Sequence, residues 1–170
     1  SDIIENNLRS LWLIATTLIV FGVILGLADT YGKRERTLDQ LSNRHGIMYG
    51  LAQALALMPG VSRSGATIAM GRFLGYKREA ALRYSFLLAL PAVFGSGFYQ
   101  LQGAISSTES NVFSLAETAV ATGIAFVVGY LVIAWLLKFV STKSFMPFII
   151  YRIALGMLLL ILLGTGVISA

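Results

Sequence analysis

Cysteine is absent from this chain of 170 residues, and charge is scarce, at 12% Asp, Glu, Lys and Arg. The first absence excludes a disulfide framework, a thiolate metal site and a cysteine nucleophile. The second excludes an ordinary soluble surface, since soluble domains carry about a quarter charged residues. With 56% hydrophobic residues and a mean hydropathy of +0.78, the chain falls in the membrane class. Acidic side chains are few. Asp2, Glu5, Asp29, Glu35, Asp39, Glu79, Glu109 and Glu117 form no convincing oxygen cage for a hard cation. The net charge of +5 is spread in clusters between apolar segments, not along one stripe. That pattern suits an anionic membrane surface and argues against nucleic acid as a partner.

What is there is long apolar runs. Residues 8–28, 84–102, 115–137 and 148–168 are each long enough to cross a hydrocarbon core of roughly 30 Å. The length supports one membrane domain over 1–170. The first run follows Asp2 and Glu5 and has Arg9 at its start, with no basic stretch ahead of it, so it reads as a span and not as a cleaved signal. The sequence starts at Ser1, so the chain is expected to be processed, trimmed or part of something longer. Pro91 lies inside the second span and predicts a kink there.

Residues 46–75 do not fit a simple crossing. Gly46 to Met58 is apolar but 13 residues long, about 20 Å of helix at 1.5 Å per residue. Pro59-Gly60 stops it, and Ser62 is placed to cap a second short helix running to about Gly75. Two half-length helices about a polar turn predict a re-entrant hairpin. The expected fold is all-α, a polytopic membrane helix bundle containing that hairpin. Charge agrees with it. Lys33, Arg34, Arg36, Arg44, Lys77, Arg78, Arg83, Lys138, Lys143 and Arg152 fall on one side only if the hairpin enters and leaves by the same face. The other side holds Asp2, Glu5, Glu109 and Glu117, with Arg9 its one basic residue. Positive-inside bias then sets both termini outside.

The turn carries the chemistry. Arg63 between two apolar half-helices is expensive at membrane depth, roughly 2.5–3.5 kcal/mol on insertion scales, so it is expected to face a ligand or a partner. Its planar fork suits phosphate oxygens. The hydroxyls of Ser62, Ser64 and Thr67 and the free N–H groups of a helix start complete an anion cradle, and Gly60 and Gly65 let a ligand approach the backbone. Ser62 equally serves as a plain cap. Gln53 either turns toward the cradle or bonds between helices. His45 is read as solvated, and Arg72 as snorkelling to the cytoplasmic face. Gly46 with Gly50, and Gly71 with Gly75, have spacing that permits close helix packing.

The stretch Gly50-Leu-Ala-Gln53-Ala-Leu-Ala-Leu-Met-Pro59-Gly-Val-Ser62-Arg63-Ser64-Gly-Ala-Thr67 continues through Ala80-Ala81 and Tyr84-Ser-Phe-Leu-Leu-Ala-Leu-Pro91. With Phe145-Met-Pro147-Phe-Ile-Ile-Tyr151-Arg152, it resembles the bacterial undecaprenyl-diphosphate phosphatases of the UppP/BacA family. The resemblance implies hydrolysis of undecaprenyl diphosphate to the monophosphate, which recycles the lipid carrier of cell-wall synthesis in the bacterial inner membrane and underlies bacitracin resistance. It implies that Ser62, Arg63 and Ser64 are catalytic. Those three, with Thr67, Gly60, Gly65 and Gln53, would hold the polyprenyl diphosphate. It also implies a divalent cation, Mg2+ or Ca2+, held by a glutamate-bearing N-terminal half that this sequence lacks. The chain would then be the second half of an inverted-repeat architecture, inactive by itself, with homo-oligomerisation left open. The competing reading is half of a transporter or flippase that binds an anionic lipid without cleaving it.

Overall fold

In the computed structural model, residues 10–106 and 115–168 are described, with the side chains of 103–106 and 115 left aside. The acidic flank expected at Asp2, Glu5 and Glu109, and Arg9, lie outside them. The described residues are helical. They form α1 (Leu11–Tyr31), a short 3-10 turn (Leu38–Gln40), α2 (Asn43–Ala54), a second 3-10 turn (Leu55–Leu57), α3 (Arg63–Phe73), α4 (Arg78–Ser106), α5 (Leu115–Thr142) and α6 (Met146–Gly164).

Helices α1, α4, α5 and α6 are long and apolar enough to cross a membrane, as the four apolar runs predict. The chain is a multi-pass membrane protein. α4 begins six residues before the apolar run, because Arg78, Glu79 and Arg83 are helical without being apolar, and it continues through Pro91. α2 and α3, at 12 and 11 residues, are the two half-length helices expected about the Pro59-Gly60 turn. The backbone ties their outer ends together. Arg36 and Tyr76 form an isolated bridge, with Lys77 N donating to Arg36 O (2.9 Å) and Arg36 N to Gly75 O (3.0 Å). The segments flanking this helix pair therefore lie side by side.

α3 sits at the centre, against α1, α2 and α4, and α1 packs most extensively on α6. That last contact rests on Gly156. A Cβ there would lie 2.6 Å from Ile19 Cγ1 and 2.9 Å from the Ala15 carbonyl oxygen. Gly156→Ala is expected to destabilise the bundle by about 1–3 kcal/mol through overpacking. Thermal unfolding in detergent reads this, and an unchanged midpoint would contradict the close approach. Of the small-residue pairs, Gly71 does meet a neighbour: a Cβ would strike the Tyr49 hydroxyl of α2. Gly50 faces open space, whereas a Cβ on Gly46 would lie 3.4 Å from the Tyr84 hydroxyl of α4.

Arg72 corrects the sequence reading. It does not snorkel; its relative exposure is 0%, and Asp29, at 2%, is its ion-pair partner at 3.3 Å. The guanidinium also donates to the carbonyls of Asp29, Gly32, Lys33 and Tyr76. Arg78 holds the same carboxylate through two bonds of 2.6 and 2.9 Å, and Phe145 N donates to it at 3.2 Å. One carboxylate thus joins the end of α1 to α3, α4 and the start of α6. His45 is likewise half-buried, not solvated. Its Nδ1 lies 2.8 Å from the Tyr76 hydroxyl, which donates to Gln40 O, and its Nε2 lies 3.3 Å from Arg36. Burial pushes the Tyr76 hydroxyl pKa up, so it remains a neutral phenol in this network.

Candidate functional site

The turn between α2 and α3 is built by its backbone. Gly60 adopts φ +83°, a conformation that favours glycine, and a Cβ there would collide with Thr17 of α1. Thr17 Oγ1 lies 2.9 Å from the Pro59 carbonyl oxygen, and Arg152 of α6 donates through Nη2 to the Gly60 carbonyl at 3.1 Å. Two spanning helices therefore grip the turn from either side.

Ser62 is the N-cap of α3, as its position predicts, accepting from Gly65 N at 3.2 Å. Its hydroxyl lies 3.2 Å from that of Ser64. The first N–H groups of a helix have no partner within it, and the helix start is electropositive. Ser62, Ser64 and Gly65 line a cavity of about 200 Å³ whose other polar wall is Arg152 with Tyr151. The remaining lining is apolar, including Leu25, Ile68, Leu82, Phe86 and Leu136. A Cβ on Gly65 would sit 3.6 Å from Arg152 Nη1, so the guanidinium stands beside the helix start. Arg152 Nε is buried with no hydrogen-bond partner among the described residues. Chemically, the cavity offers two hydroxyls, a helix N-terminus and a fixed guanidinium at the head of an apolar space. That combination suits a phosphate on a hydrocarbon chain.

The other expected site residues divide. Arg63 is exposed and is not part of the cavity lining. Successive helical residues are about 100° apart, so with Ser64, Gly65 and Ile68 facing the cavity, Arg63 projects elsewhere. Thr67 is fully buried, bonded back to Arg63 O at 2.8 Å and to Ser85 of α4 at 2.5 Å. Gln53 has its Oε1 buried without a hydrogen-bond partner among the described residues. Sequence reasoning counted Arg152 only among the basic residues of one membrane face. The signal was present: Arg152 lies inside an apolar span, where an arginine is as costly as at Arg63.

No group of three or more His, Asp or Glu able to hold a metal ion occurs among the described residues. Asp29, the buried carboxylate, is already engaged by two guanidinium groups and an N–H. These residues do not fit a divalent cation.

Residues 1–158 match the family described as Bacitracin resistance protein BacA. Over 170 residues the chain is 62% identical to the undecaprenyl-diphosphatase of Pseudarthrobacter chlorophenolicus, covering 99% of this chain and 61% of that protein. The undecaprenyl-diphosphatase of Paenarthrobacter aurescens is also 62% identical, with the same coverage. Undecaprenyl-diphosphatase 2 of Agrobacterium fabrum is 61% identical over 169 residues, covering 99% of this chain and 60% of that protein. The chain spans about three fifths of the length of the curated relatives it matches.

Proposed function

The chain belongs to the BacA family, and on that premise we propose that it forms the phosphate-binding part of an enzyme hydrolysing undecaprenyl diphosphate to undecaprenyl phosphate in the bacterial inner membrane. The observation that carries the proposal is the convergence of Arg152 with the Ser62 and Ser64 hydroxyls on one apolar cavity. The diphosphate would sit at the start of α3, with its prenyl chain against Leu25, Phe86 and Leu136. In that low-dielectric site, Arg152 stabilises the charge that builds on the phosphoryl oxygens as the anhydride bond breaks. Ser62 and Ser64 orient those oxygens. Arg63, exposed and outside the cavity, makes no ion pair among the described residues, and in this proposal it meets only the part of the headgroup that extends beyond the turn. Gln53 brings from the other half-helix an acceptor that is unpaired among the described residues. Thr67 acts from behind, holding the first turn of α3 against Ser85. No step is assigned to a metal within this chain.

We read α2–α3 as a re-entrant hairpin: its tied outer ends and half-length helices support an entry and exit on one membrane face. The same half-length helices favour one rival, a carrier that binds the lipid without cleaving it. Release of inorganic phosphate from undecaprenyl diphosphate by the purified protein in detergent separates the two. Lipid movement without phosphate release would reject hydrolysis. Ser62→Ala is expected to cost about 1 kcal/mol of stability through its lost cap and also to depress turnover. Ser62→Asn restores the cap acceptor, so stability should recover while turnover stays low. Full recovery of both would reduce Ser62 to a cap.

A further inference from the structure

Asp29 is one carboxylate among many cations. Arg72 and Arg78 share it, so the buried cluster carries one positive charge in excess. Arg78 spends Nε and Nη2 on Asp29, leaving Nη1 without a hydrogen-bond partner among the described residues. Beside it opens a second cavity of about 310 Å³, lined by Arg34, Lys77, Arg78, Glu79 and the end of α5 at Ser141 and Thr142. Arg34 and Lys77 are exposed and make no ion pair among the described residues. Glu79 is the one acid in the lining, against three bases. The hydroxyls of Ser141 and Thr142 donate back into their own helix, so recognition there falls to the basic groups.

We propose that this groove binds the phosphate-bearing headgroup of an anionic membrane lipid, at a site separate from the Ser62–Arg152 cavity. Phosphate chemistry alone would also admit free inorganic phosphate. The surroundings select the lipid. The groove lies where α5 ends, none of the apolar window of α5 is buried, and Trp135 is 57% exposed two turns before the groove. A headgroup in the groove leaves its acyl chains along that face, with an aromatic residue near the interface. Positive-inside bias explains the sign of these loops, but not a concave seat in which three bases face one acid.

The test is binding of phosphatidylglycerol to the purified protein in zwitterionic detergent, followed by native mass spectrometry and thermal shift. Phosphatidylcholine and inorganic phosphate serve as comparison ligands. Phosphatidylglycerol is expected to bind and to raise the unfolding midpoint. Arg34→Gln with Lys77→Gln is expected to weaken that binding about thirty-fold, each basic residue contributing about five-fold. Arg44→Gln with Arg83→Gln removes the same charge outside the groove and should have little effect. Equal weakening by both pairs would show a diffuse field and overturn the site. An equal midpoint shift from inorganic phosphate would overturn the lipid.

Discussion

Replacing Arg152 by alanine in the protein that carries this chain is expected to lower phosphate release from undecaprenyl diphosphate by about 10²–10³-fold. The magnitude is that of removing a preorganised donor from a dry site where charge develops. Arg152 meets both conditions: it is fixed to the Gly60 carbonyl, and its neighbours in the cavity are mostly apolar. Lysine should recover little, because a single ammonium cannot hold Gly60 O and still present a planar fork to two phosphate oxygens. The loss should appear mainly in kcat, since the charge on the transferring group peaks in the transition state. Steady-state phosphate release, with thermal unfolding to verify the fold, measures it. Near-normal turnover in Arg152→Ala beside collapse in Arg63→Ala would transfer the role to Arg63.

The second large effect is on stability. Arg72→Ala is expected to destabilise the protein by about 3–5 kcal/mol, the range for breaking a buried charge pair. Asp29 keeps Arg78, so part of the pairing survives. What is lost is the donor set for four carbonyls, at Asp29, Gly32, Lys33 and Tyr76, gathered round a side chain that is itself fully buried. A snorkelling arginine would register within about 0.5 kcal/mol on the same change. The thermal midpoint in detergent therefore separates the two roles. Arg72→Met, which fills volume without donors, should fall nearly as far as alanine.

Both predictions concern arginines whose places the sequence did not reveal. An arginine among apolar residues signals an unusual environment without naming its partner. For Arg63 the neighbouring hydroxyls suggested a shared cradle, yet the helical turn sends that side chain away from Ser64 and Gly65. For Arg152 the company of Lys138 and Lys143 suggested only a basic membrane face, yet in the second turn of α6 its guanidinium turns to the Gly60 carbonyl. Asp29 was one carboxylate among eight until α3, α4 and α6 closed on it.

Local physics was legible from residue order alone. Apolar runs of spanning length predict the four long helices, Pro59-Gly60 the break, and Ser62 the cap, because each depends on contacts within a few residues. Tertiary structure decided which polar groups meet. Arg152 lies 92 residues from the Gly60 carbonyl it holds, and Phe145 lies 116 from the Asp29 carboxylate it meets. No periodicity encodes such a distance. Burial of the helices against one another sets it, and that packing brings guanidinium, hydroxyls and helix start to one cavity.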